Sequence, residues 1–228
     1  MLAAAIQLTL DKELLTRRAR LALLKAKETR MGVKCYLVGA SGTGKTTMAR
    51  HIAMRYNVPH LSGATRQAAE AYGDPGKVWH AVLHGADLDL ADSYQLAVWQ
   101  AQLALEAPYW DREETCFVSD RGPDVVIYTA HLARVCWQIT RSQEFSDYMQ
   151  RLRLWGLVFF TRPHADFVPL LDGRRDGFLG KEWQWRVDGA IEFLLESYEI
   201  PYVSLDTPVY RDRQRTVDRI MTLALKGR

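Results

Sequence analysis

The stretch Lys34 to Thr47, KCYLVGASGTGKTT, holds the residue types from which phosphate sites are built. An apolar run, Cys35 to Val38, leads into Gly39-Ala40-Ser41-Gly42-Thr43-Gly44-Lys45-Thr46, which satisfies G-x-x-x-x-G-K-[ST] at every specified position. A buried strand, a tight loop with inward amides and a helix whose positive end faces the same point make a cradle for phosphate. Gly39, Gly42 and Gly44 let the backbone close around it, and Ser41, Thr43 and Thr47 complete the nucleotide-binding set. Lys45 is expected to present a solvent-facing ammonium to the β- and γ-oxygens of ATP, and Thr46 Oγ to ligate Mg²⁺.

Asp120 is the second centre. It follows Thr115-Cys116-Phe117-Val118-Ser119, the best central strand after the first. A carboxylate at that end of a strand can hold Mg²⁺ or orient an attacking hydroxyl. Arg66 leaves the end of a shorter strand, near Val58 to Leu61, on the side where open parallel sheets place an acceptor. Gln95 and Trp99 share a helix face with Gln102, and such a face could hold a flat base by stacking and amide hydrogen bonds. Asp124, which opens the helix after Asp120, joins them as an acceptor-binding candidate. Residues 169–181, PLLDGRRDGFLGK, combine three glycines with a charge cluster and read as a lid. Arg174 and Arg175 on that lid would offset charge developing in phosphoryl transfer.

The elements that position these groups follow from apolar periodicity. Helices are expected at 11–30, 46–56, 92–107, 124–138, 142–153, 182–199 and 209–226, with strands at 35–38, 58–61, 115–119, 155–161 and 201–205. Residues 62–67 leave the C-terminal end of the 58–61 strand, and 73–90 read as short helices or loop broken by Gly73, Pro75, Gly76 and Gly85. The loop Asp206-Thr207-Pro208 ends the last strand near where an adenine could lie. Five apolar runs separated by helices predict a three-layer α/β fold: a mostly parallel sheet of about five strands with helices on both faces. A length of 228 residues with 48% apolar content suits one domain.

No run approaches the ~20 apolar residues of a membrane span. Met1 to Leu10 lacks the pattern of a leader, so a cytoplasmic location is expected. Cys35, Cys116 and Cys136 lie in apolar surroundings without C-x-x-C spacing, which favours buried thiols over zinc or a disulfide. The net charge of +3 is uneven: residues 1–31 carry +4, residues 209–228 carry +4 and the middle −5. A solvated helix face or a surface for a polyanion such as DNA would each explain the basic ends.

The chain resembles a group of P-loop kinases that includes the ribosylnicotinamide kinase domain of the bacterial NAD regulator, nucleoside and nucleotide kinases, and phage relatives. GASGTGKTT, SDRGPDVVIYTAHLA, LLDGRRDGF and FLLESYEIPYVSLD carry the likeness over most of residues 33–226. The resemblance implies a P-loop fold in which Lys45 and Thr46 serve ATP and Mg²⁺, Asp120 the metal or the acceptor hydroxyl, Arg121 the acceptor, and Arg174 or Arg175 the lid. Relatives often read D-R-S, a two-residue spacer and D. Here Gly122 stands in place of the serine and Asp124 comes one position sooner. The expected activity is transfer of the γ-phosphate of ATP to a hydroxyl of a nucleoside or nucleotide. Two readings stay beside it: phosphorylation of a hydroxymethylated pyrimidine in DNA, served by the basic ends and seven tryptophans, and a regulatory or motor NTPase.

Overall fold

The computed structural model describes residues 32–73, 75–164 and 180–225, and of Pro75, Gly76, Trp79 and Leu83 the backbone alone. The predicted helix 11–30 and the lid up to residue 179, with Arg174 and Arg175, lie outside these residues. In chain order the elements are β1 (Lys34–Val38), α1 (Lys45–Tyr56), β2 (His60–Leu61), α2 (Ala64–Glu70), α3 (Pro75–His84) and α4 (Leu88–Trp110). Then come β3 (Phe117–Ser119), α5 (Asp124–Leu132), α6 (Cys136–Thr140), α7 (Gln143–Trp155), β4 (Gly156–Thr161), α8 (Lys181–Ser197), β5 (Tyr202–Leu205) and α9 (Tyr210–Leu225). The strands form one parallel sheet in the order β2-β3-β1-β4-β5, as the long helical connections predict.

β1 occupies the centre because every one of its residues is apolar or satisfied within the core. Alternation along it feeds two layers. Tyr36 and Val38 join Trp99 of α4, Val125 of α5, Phe145 of α7 and Ile191 of α8 on one face. Cys35 and Leu37 join Met48 and Ile52 of α1 and Val217 and Ile220 of α9 on the other. Lys34 is buried at the foot of the strand, where its ammonium donates to the carbonyls of Tyr109 (2.5 Å), Arg112 (3.1 Å) and Thr115 (2.6 Å). A cation closing the end of α4 satisfies carbonyls that the helix leaves open.

Three boundaries differ from expectation, each for a local reason. Residues 64–70 form a helix that was not expected, after Gly63 adopts a left-handed conformation at φ 97°. The long helix begins at Leu88 because Asp87 caps it, its carboxylate accepting from the Leu90 amide at 2.9 Å. The expected helix 124–138 is split: Ala133 is extended, and the Arg134 amide and Nε donate to the two Asp92 oxygens at 2.6 and 2.8 Å. Asp92 thus stops α5. All three cysteines are free; Cys35 is buried, whereas Cys116 and Cys136 are only half-buried. Among the described residues no helix is long and apolar enough to cross a membrane.

Candidate active site

The loop between β1 and α1 is held from several sides. Gly39, at φ 148°, lies so close to β4 that a Cβ there would sit 2.4 Å from the Thr161 carbonyl oxygen. Thr161 Oγ donates to the Val38 carbonyl (3.0 Å) and lies 2.8 Å from Thr43 Oγ, tying the loop to the neighbouring strand. From α8, Gln184 Nε2 donates to the Ser41 carbonyl at 2.7 Å. From α9, the buried Arg213 donates to the carbonyls of Thr43 (2.9 Å), Thr207 (2.5 Å) and Arg162 (2.8 Å). Gly42 and Gly44 take positive φ, and the exposed Thr46 and Thr47 follow. Lys45 is not solvent-facing: at 8% exposure its ammonium donates to the Gly39 and Ala40 carbonyls at 2.7 and 2.8 Å. In this state the loop's own carbonyls hold the ammonium.

Asp120 stands beside this loop. Thr46 Oγ donates to Asp120 Oδ2 at 2.7 Å, and His60 Nε2 lies 3.7 Å from the same oxygen. Burial works against the Asp120 charge, but His60, Thr46 and Arg121 outweigh it and hold the carboxyl below its usual range. A hydroxyl and a carboxylate joined in this way are hard oxygen donors that fit Mg²⁺. His60 had no signal in the sequence, since only the pairing of β2 with β3 brings it alongside.

Arg121 and Asp124 lie on the same side. The Arg121 guanidinium stacks 5.2 Å from the Tyr128 ring, and Tyr128 OH donates to the Gly39 carbonyl at 3.4 Å. Asp124 is 0% exposed; its Oδ1 accepts from the Gly122 amide at 2.7 Å, and its Oδ2 has no hydrogen-bond partner among the described residues. Burial raises its pKa, with Lys45 and Arg121 pulling the other way. The closed carboxyl therefore acts on the two cations and does not offer a surface to an acceptor. Gly122 is explained by contact: a Cβ there would meet Tyr36 Cδ1 at 3.0 Å and Val38 Cγ1 at 3.2 Å.

The Gln95 and Trp99 expectation is corrected. Their shared face points into the core: Trp99 is 1% exposed and packs against Phe145 and Tyr148, with ring centroids 5.7 and 5.2 Å away. Gln95 is buried beside it. No base can stack there without displacing those rings. Gln102, on the same face, donates to Glu106 Oε1 (2.6 Å) and to Ser119 Oγ (3.1 Å), bracing the strand end before Asp120. Arg66 is exposed on α2.

On the opposite flank of the loop, toward β4 and α9, a cleft of about 150 Å³ is lined by Gly42, Thr43, Gly44, Met48, Tyr210 and Arg213, among others. Arg213 fixes the Asp206-Thr207-Pro208 loop against it. The site thus has two sides: Asp120, Arg121 and His60 toward β3 and β2, and a cleft toward β4 and α9.

The sequence model of a family described as an AAA domain matches residues 34–213. No curated relative matches in sequence. Among solved structures, the NadR protein in complex with NR aligns with a TM-score of 0.62 at 14% identity, covering 86% of this chain and 51% of that one. The chain therefore spans about half the length of that protein. Deoxyadenosine kinase from M. mycoides with bound dATP aligns at 0.57 and 12% identity, covering 83% and 100%. Shikimate kinase from Acinetobacter baumannii in complex with shikimate aligns at 0.50 and 13%, covering 89% and 98%. At such identities the likeness is one of fold. With its phosphate loop at the centre of a parallel sheet in the order β2-β3-β1-β4-β5, the chain belongs to this AAA domain family and has the fold of P-loop nucleoside and nucleotide kinases.

Proposed function

We propose that the chain transfers the γ-phosphoryl group of ATP to a hydroxyl of a nucleoside or nucleotide. The observation that carries this reading is the 2.7 Å contact between Thr46 Oγ and Asp120 Oδ2, between the apolar cleft and the Arg121 side. The donor base enters the cleft beside Tyr210, and its phosphates run along the loop toward Asp120. The acceptor then comes from the β2–β3 side, where Arg121 and the exposed Arg66 can reach a polar or phosphorylated group. Thr46 and Asp120 hold Mg²⁺, which when bound neutralises charge on the phosphates. Lys45 leaves the Gly39 and Ala40 carbonyls for β- and γ-oxygens, and Asp124 keeps Lys45 and Arg121 oriented by charge. Arg174 and Arg175 supply further positive charge from the segment before α8. The names of the aligned proteins support a nucleoside-like acceptor, since they include an NR complex and a deoxyadenosine kinase.

The buried Trp99 stacks on the base of neither acceptor, and the DNA-acceptor reading keeps its basic ends and the exposed Trp137 and Trp185. The test is a panel of nucleosides, nucleotides, shikimate-like alcohols and hydroxymethylated DNA offered with ATP and Mg²⁺. Efficient phosphorylation of one nucleoside or nucleotide supports the reading. Transfer to the DNA alone, or to none of the panel, overturns it.

A further inference from the structure

The buried carbonyl of Gly39 is shared between the two sides of the site. Lys45 Nζ donates to it at 2.7 Å, and Tyr128 OH donates to it at 3.4 Å. Gly39 itself is wedged against β4, where even a Cβ would sit 2.4 Å from the Thr161 carbonyl oxygen and 2.5 Å from Thr161 Oγ. The side chains must therefore adjust to the carbonyl. Lys45 belongs to the phosphate loop, whereas the Tyr128 ring lies under the Arg121 guanidinium, 5.2 Å from centroid to carbon. The same ring meets Trp183 of α8 with centroids 5.6 Å apart, and the next residue, Gln184, holds the Ser41 carbonyl at 2.7 Å. At 8% exposure Tyr128 is enclosed, so what moves its ring moves its neighbours.

A carbonyl oxygen has two lone pairs, and a buried one that loses a donor draws harder on those that remain. The ammonium holds the better place on Gly39. The Tyr128 bond is long for O–H···O, whose usual length is about 2.7–2.8 Å, so about 0.6 Å of closure is available once the ammonium leaves.

We propose that Tyr128 is a positioning residue through which occupation of the phosphate loop sets the place of Arg121; this rests on the reading that Lys45 meets the phosphates and Arg121 the acceptor. When Lys45 turns to phosphate oxygens, the Gly39 carbonyl is released to Tyr128 OH. The hydroxyl closes on it, and the ring carries the guanidinium toward the loop. Donor binding thereby readies the acceptor side, and an acceptor that holds Arg121 there favours the donor by the same factor. The weight of one neutral hydrogen bond sets that factor at about two- to tenfold. The charge of Asp124 also reaches both cations, and removing the Tyr128 hydroxyl alone separates the two routes.

Phenylglyoxal labelling of Arg121, read by peptide mass spectrometry with the exposed Arg153 as reference, follows the guanidinium without any acceptor. The wild type is compared with Tyr128→Phe, which keeps the ring and its stacking, with Lys45→Met, which removes the competing ammonium, and with the double variant. Bound AMP-PNP with Mg²⁺ should slow labelling of Arg121 in the wild type about threefold or more. Lys45→Met should be slowed to a similar extent with no nucleotide present. Tyr128→Phe should lose the nucleotide effect, and added to Lys45→Met it should restore the wild-type rate. A folded Lys45→Met that labels like the nucleotide-free wild type would overturn the proposal. So would a nucleotide effect that survives Tyr128→Phe, which would leave the coupling to Asp124 or to shielding by the nucleotide itself; this arm decides alone if Lys45→Met does not fold. The Lys45→Met arm needs neither nucleotide nor acceptor, so it judges the link apart from the phosphoryl-transfer reading, which the acceptor panel judges.

Discussion

Asp120→Asn removes one charge at nearly constant size and separates metal binding from nucleotide binding. Asp120 Oδ2 accepts from Thr46 Oγ at 2.7 Å, and an asparagine oxygen can still accept there. What disappears is the charge-assisted part of that bond, worth about 1 kcal/mol, and the anionic ligand proposed for Mg²⁺. Loss of one preorganised electrostatic group at a reacting centre commonly costs 10²–10³ in kcat, about 3–4 kcal/mol. Turnover should therefore fall by roughly that factor. The affinity for ADP without Mg²⁺, measured by calorimetry, should change less than threefold, while the added affinity conferred by Mg²⁺ is lost. Fold stability should move by only about 1 kcal/mol at neutral pH, since the variant loses attraction to His60 and Arg121 but also the burial cost of the charge. The sign with pH follows from the lowered pKa of Asp120. Its ionised form favours the fold above the ordinary carboxylate pKa, and that contribution is lost as pH falls through the folded value. The wild type's advantage should shrink accordingly in acid. Turnover within a few-fold of wild type across a magnesium titration would refute the reasoning, as would an equal loss of affinity for metal-free ADP.

Lys45→Ala should abolish detectable transfer and lower stability by only about 1–2 kcal/mol, the loss of two bonds to loop carbonyls; thermal melts and kinetics on the same sample separate the two effects. Trp99→Ala should destabilise by about 3–5 kcal/mol, as for a fully buried aromatic residue; an unchanged melting temperature with a raised acceptor KM would return this residue to the site. Burial pushes the Asp188 carboxyl up to about 6 despite its Arg162 partner. A raised folded pKa means stability falls as pH rises through the interval from 4 to 6, so Asp188→Asn should gain about 2–3 kcal/mol on the wild type between pH 4 and 7. Denaturant titrations at the two pH values would show it, and a constant difference would contradict it.

The phosphate loop was legible in the sequence because its chemistry is local: eight adjacent residues fix turn, amides and helix start. The same holds for the end of β3, where an apolar run stops at Asp120. Periodicity showed that Gln95, Trp99 and Gln102 share a face, but not that the face looks inward, which depends on α7 packing over it. His60 and Arg213 were missed for a different reason. His60 reaches Asp120 only through strand pairing, and Arg213 reaches the Thr43 carbonyl across a separation of 170 residues. The split of the expected helix 124–138 likewise depends on Asp92 from α4.

The most direct test of the account follows the γ-phosphate itself. With γ-labelled ATP, Mg²⁺ and a saturating nucleoside or nucleotide acceptor, the account predicts label on the acceptor hydroxyl in step with ATP consumption, and little free phosphate. Label released only as inorganic phosphate, at a rate indifferent to every acceptor, would contradict it and make the chain a hydrolase of ATP.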